Sequence, residues 1–130
     1  MLQYNSSNKQ IQINRGDSVD MNVTAKDEEK QDYTFQVNDT VKFKVSEAKN
    51  EANVIIEKSI TISEETTTVP IHLTSEETKI GDYINKPVIY WYEISVEKSN
   101  GDVLTIIGYD KNGAKEFVLN PEAGNKEVGE

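Results

Sequence analysis

The chain has 130 residues, 23 acidic against 14 basic side chains for a formal net charge of −9, and no cysteine. One domain of this size buries enough surface to fold unaided, and the missing cysteines exclude disulfides, thiolate metal sites and a cysteine nucleophile. The acidity argues against nucleic acid and anionic membrane as partners, because both call for a basic patch and the only local basic run, Lys42 and Lys44, is two residues of one strand face.

The opening residues, MLQYNSSNKQ, contain no apolar core of the kind a signal peptide needs, so residues 1–8 are expected to form a flexible lead-in. Alternation with a period of two then begins. Ile11 and Ile13 alternate with polar residues, as do Val19, Met21 and Val23. Arg15-Gly16-Asp17 lies between these runs as a turn. After the charged loop of residues 26–31, Tyr33, Phe35 and Val37 predict a further strand. Asn38-Asp39 is the turn before Val41, Phe43 and Val45.

Residues 47–53, EAKNEAN, read as a polar loop. Val54, Ile56, Ile60 and Ile62 share one parity, with Lys58 as the interruption, and Val69, Ile71 and Leu73 share another. Each run predicts a half-buried strand with one face to the core and one to water. Residues 75–79 predict a single helical turn, capped by Thr74 or Ser75 and ended by Gly81.

The longest strongly apolar stretch, residues 88–92, is far too short to cross a bilayer as a helix. In this strand Val88, Tyr90, Tyr92, Ile94 and Val96 are expected to face the core. Asn100-Gly101-Asp102 is a hairpin signal of the primed-turn type, and Asn112-Gly113 is a second. Phe117-Val118-Leu119 closes the pattern, and residues 122–130 read as a disordered tail. The expectation is an all-β, two-sheet antiparallel sandwich, immunoglobulin-like, with about seven to nine strands over residues 9–121.

The strand from Val88 leaves Ile89 and Trp91 on the face away from the core. Large apolar groups are usually covered, here by a loop or the small helical turn. Left uncovered, the pair would form a patch that docks a partner, since aromatic anchors are enriched at interfaces.

The side chains of catalysis are sparse. His72 is the only histidine and lies on the polar parity of its strand, a surface position. The paired carboxylates Glu64-Glu65 and Glu76-Glu77 fall in turns. Asp17, Asp20 and the Asp27-Glu28-Glu29 run lack the ligand spacing of an EF-hand. No phosphate-cradling glycine loop is present. No catalytic, cofactor-binding or metal-binding residue is therefore expected. Arg15-Gly16-Asp17 also spells an integrin-recognition tripeptide, but Gly-Asp between two strands is an ordinary turn.

The order of motifs carries a resemblance. Gly16-Asp17-Ser18 precedes the strand at Val19. Asn38-Asp39-Thr40-Val41-Lys42-Phe43-Lys44-Val45 follows, then Leu73-Thr74-Ser75-Glu76-Glu77-Thr78 and Gly81-Asp82-Tyr83. Tyr90-Trp91-Tyr92-Glu93-Ile94, Asn100-Gly101-Asp102-Val103-Leu104-Thr105-Ile106-Ile107 and Phe117-Val118-Leu119 complete the series. Over about residues 9–121 this resembles the N-terminal domain of the baseplate upper protein of tailed phages of Gram-positive bacteria. The late segment is the most telling: that family pairs an aromatic–acidic–Ile strand with a Gly-Asp hairpin and a Thr-Ile-Ile strand.

The resemblance implies a non-enzymatic adaptor or accessory of a phage or prophage tail baseplate, located in the virion and assembled in the host cytoplasm. Its partners would be other tail or baseplate proteins or further copies of itself. No coiled-coil or fibre segment follows the match, which points to a free-standing accessory. The alternative is a bacterial surface immunoglobulin-like module for adhesion or carbohydrate binding, whose exposed aromatics would stack on sugars.

Overall fold

The computed structural model describes residues 3–5, 10–26, 29, 31–47, 53–80, 84–107 and 115–121. Nine strands are present among these residues: β1 (Gln3–Asn5), β2 (Gln10–Asn14), β3 (Val19–Val23), β4 (Thr40–Ser46), β5 (Val54–Thr61), β6 (Val69–Leu73), β7 (Val88–Glu97), β8 (Val103–Ile107) and β9 (Lys115–Asn120). No helix occurs among the described residues. The all-β expectation is met, and residues 3–5, expected within a flexible lead-in, instead pair antiparallel with β2.

Six strands of a seven-stranded sheet run β1-β2-β9-β7-β4-β5, and β3 pairs with β6 in a two-stranded sheet. Pairing is antiparallel except between β2 and β9. The remaining strand, β8, shares one edge of β7 with β9. Val103 to Ile107 oppose the second half of β7, and Lys115 to Leu119 oppose the first. Both run antiparallel to β7, one after the other along that edge, with residues 108–114 between them in the sequence. Asn112-Gly113 lies there, outside the described residues, as do residues 122–130.

The alternating residues of both sheets meet in one core. Phe43 sits 5.9 Å from Tyr92 and 6.2 Å from Phe117, centroid to centroid. Val19, Val23, Val69, Ile71 and Leu73 of the small sheet are buried in the same cluster. Each fully buried large apolar side chain contributes on the order of 1.5–3 kcal/mol, so the fold follows from the period-two pattern.

Three local expectations need correction. Residues 33–37 are not a strand. Tyr33 N–H bonds to Ala25 O and Phe35 makes an isolated bridge to Thr66, while Val37 is 48% exposed. The alternation there reflects packing of Tyr33 edge-on to Phe35 at 5.1 Å, not ladder pairing. The backbone then reverses through a tight turn, with Asn38 at φ 76° and Asp39 N–H bonded to Gln36 O.

The helical turn expected over residues 75–79 is one hydrogen-bonded turn over residues 75–78. Thr78 N–H donates to Thr74 O, and a capping box closes its start: Glu77 Oε1 accepts Thr74 N–H at 2.8 Å while Thr74 Oγ1 accepts Glu77 N–H at 3.1 Å. One turn is too short to propagate as a helix.

The hairpin joining β7 to β8 is not a primed two-residue turn. Gly101 alone has positive φ, at 97°, and its N–H closes a turn onto Lys98 O. Asn100 instead uses its side-chain oxygen to accept Asp102 N–H.

Candidate functional site

Cross-strand register fixes which side chains share the outer face of the large sheet. At the hairpin end Glu97 faces Thr40 and Val103, and Ser95 faces Lys42 and Thr105. Next, Glu93 faces Lys44, which faces Glu57. This half is mostly polar, with Lys42 bonded to Glu97 at 3.0 Å, although Val103 stands 61% exposed within it. Charges of both signs along a face block uncontrolled stacking of sheets.

The other half is the more apolar one. Trp91 faces Ser46 on β4 and Glu116 on β9, and Ser46 faces Val54. Ile89 faces Val118 on β9. Ile89 is 48% exposed and Val54 42%, whereas Trp91 is half-buried and interacts with its surroundings. Val118 and Ser46 are buried although they point outward. The parity reading thus places Ile89 and Trp91 on one face, but they differ: Ile89 is the open group and Trp91 is partly covered. On the inner face Tyr92, Ile94 and Val96 are buried, while Val88 and Tyr90 are half-buried. Burial and the charge of Glu47 push the Tyr90 hydroxyl above its ordinary value, against the opposing pull of Arg15.

Val54 joins the patch through a bulge. Val45 opposes Ile56 but Ser46 opposes Val54, so Ile55 is the extra residue and Val54 moves to the outer face. Lys58 keeps inward parity opposite Phe43 and reaches out of the core to Glu77, at 3.0 and 3.2 Å. An inward-pointing charge on edge strand β5 discourages strand addition there. Hydrogen bonding to the Thr74 amide, with help from Lys58 and against burial, holds the Glu77 carboxyl below its ordinary 4.5.

The other sequence candidates are placed as follows. His72 lies exposed on the outer face of the small sheet, with Nδ1 2.7 Å from Asp20 Oδ1. Arg15 is buried, its Nε donating to Ile80 O at 3.0 Å, so the Arg15-Gly16-Asp17 turn presents no free guanidinium. Gly16 has φ 89°, and its N–H is held by Thr78 Oγ1. Asp27 and Glu28 lie outside the described residues, among which no three His, Asp or Glu side chains group to hold a metal.

One cluster had no sequence signal. Asp39, 2% exposed, accepts Gln36 N–H at 2.9 Å and Lys98 Nζ at 2.9 Å through Oδ2. Lys98 also donates to Tyr33 OH at 2.8 Å and lies 5.4 Å from that ring's centroid. This clasp ties the 33–39 segment to the end of β7. It serves structure, since all its polar groups satisfy one another.

No family model matches the chain, and no curated protein or solved structure shows significant similarity to it.

Proposed function

We propose that this domain is a non-enzymatic structural module that docks into a larger assembly through the apolar half of its outer sheet face, with Ile89 as the anchor and Trp91 beside it. One observation carries the reading: Ile89 and Val54 stand 48% and 42% exposed at the Trp91 end of a face that has Glu116 beside Trp91 and the Lys42–Glu97 ion pair at its other end. Exposed apolar side chains bordered by charged ones give an interface an apolar centre and a polar rim. The motif order that resembles baseplate upper proteins makes a phage or prophage tail baseplate the assembly, with other tail proteins or further copies of the chain as partners. Immunogold electron microscopy of an induced culture tests the location. Label at tail tips supports it, and label on cell surfaces with bare tails overturns it.

The second reading, a bacterial surface module for adhesion or carbohydrate binding, draws on strand order. The neighbours β5-β4-β7-β9 opposite β3-β6 follow the C′-C-F-G and B-E neighbours of a variable-type immunoglobulin sandwich. A glycan array without a binder would remove it.

A further inference from the structure

The small sheet has two strands and therefore two outer edges, and the two differ chemically. Pro70 of β6 stands opposite Asn22 of β3. Proline has no N–H to donate, so this must be a non-hydrogen-bonded pair, and the ladder bonds run through Met21–Ile71 and Val23–Val69. It follows that position 70 points its backbone away from β3 and blunts the outer edge of β6. By the same alternation the N–H and C=O groups of Asp20 and Asn22 point to the outer edge of β3. No strand pairs there among the described residues; the nearest bond is Tyr33 N–H to Ala25 O, past the strand's end.

Beside this edge the sandwich is open. One groove of about 370 Å³ is lined by residues 20–24 and by Ile11, Tyr92, Ile94 and Ile107. A second, of about 430 Å³, is lined by residues 24–26 and 104–107 with Tyr33 and Val96. Thr24 and Ile107 belong to both, so the two adjoin as one trough that follows β3 and continues past its end. Its floor is the inner face of β7, and its far wall is β8, whose Leu104 is 46% exposed.

We propose that this trough accepts an extended segment of a partner protein, which adds as a strand to the outer edge of β3 and inserts its alternate apolar side chains between the two sheets. The edge supplies backbone hydrogen bonds and the trough supplies side-chain selection. Charge favours basic flanks: Asp20 lines one end of the trough, Lys26 at the other end is already paired with Asp32, and the chain carries −9 overall, so the segment carries Lys or Arg beside its apolar run. The chain's own residues 121–130, PEAGNKEVGE, lack the alternating apolar side chains needed. This surface lies on the opposite side of β7 from Ile89, and the inference stands apart from the proposed function.

The probe is a short synthetic peptide that alternates Val and Thr between terminal lysines. Saturating peptide should slow amide exchange at Asp20 and Asn22 at least about tenfold, with NMR shifts at Ile94 and Ile107. Asn22→Pro removes only an outward N–H and should weaken binding about tenfold or more while preserving the fold. Should that variant fail to fold, a peptide N-methylated on the residues that face β3 gives the same comparison on the wild-type chain. Shifts confined to the Ile89 face, or no binding at all, overturn the proposal. So does protection of both amides without peptide: concentration-independent protection would assign the edge to this chain's own residues, and concentration-dependent protection to a second copy.

Discussion

Replacing Asp39 by alanine should be strongly destabilising. The carboxylate is 2% exposed and accepts both Gln36 N–H and Lys98 Nζ at 2.9 Å. Truncation leaves a buried amide without its acceptor, which costs about 1–3 kcal/mol. It also strips Lys98 of its counter-charge. That side chain is 24% exposed and keeps Tyr33 OH, so the loss falls below the roughly 3–5 kcal/mol of a fully buried broken pair. Together these give about 2–4 kcal/mol, or roughly 10 °C in Tm for a domain of this size. Asp39→Asn keeps an acceptor for Gln36 and should lose only about half as much. Lys98→Met leaves the buried carboxylate uncompensated, so adding Asp39→Asn to it should recover stability, with a coupling of at least about 1 kcal/mol. Urea unfolding followed by circular dichroism measures all four variants. An Asp39→Ala chain within about 0.5 kcal/mol of wild type would refute the reasoning.

Other outcomes follow from the same contacts. Hydrogen bonds to Tyr33 and Asp39 hold Lys98 above its ordinary 10.5, so its stabilisation is complete below 10.5 and is lost as pH rises through the higher folded value; unfolding curves of Asp39→Asn, which keeps the Tyr33 bond, should show a smaller alkaline loss. Glu77 is held below 4.5, so its contribution is present above 4.5 and disappears as pH falls through the folded value, and Glu77→Gln should flatten acid unfolding in that range. Thr78 is fully buried and its hydroxyl joins Gly16 N–H to Asp17 O; Thr78→Val keeps the shape and should cost about 1–3 kcal/mol by urea denaturation. Gly101→Ala meets no atom within 4 Å, so thermal unfolding should show only the left-handed backbone penalty of about 1–2 kcal/mol.

The strands were legible wherever one face is buried and the ladder is unbroken, as in β3, β4 and β6, because each inward residue is apolar and its neighbours are polar or, at Pro70, exposed. The pattern misled at Tyr33, Phe35 and Val37, where two rings pack inward without strand pairing. Alternation reports burial, and here burial comes from a turn held by Asp39. The same rule found Ile89 and Trp91 on one face but missed Val54, because parity cannot be carried across the bulge at Ile55. The Asp39–Lys98 clasp spans 59 residues and joins two turns. Nothing local in either segment encodes that meeting; it exists only once β4 and β7 are paired. The trough was illegible for a related reason: it lies between sheets, and the blunting role of Pro70 depends on its register with Asn22.

The central claim is that the chain is built into an assembly through the face carrying Ile89. Its most direct test is to quantify the chain by immunoblot in purified tail particles from cells carrying either wild type or Ile89→Asp. Ile89 is 48% exposed, so the variant should fold with an unchanged Tm. The account predicts wild type at fixed stoichiometry in the particles and the variant depleted at least about tenfold, the loss expected for one anchor side chain. Particles that hold both forms equally, or that hold neither, would contradict it.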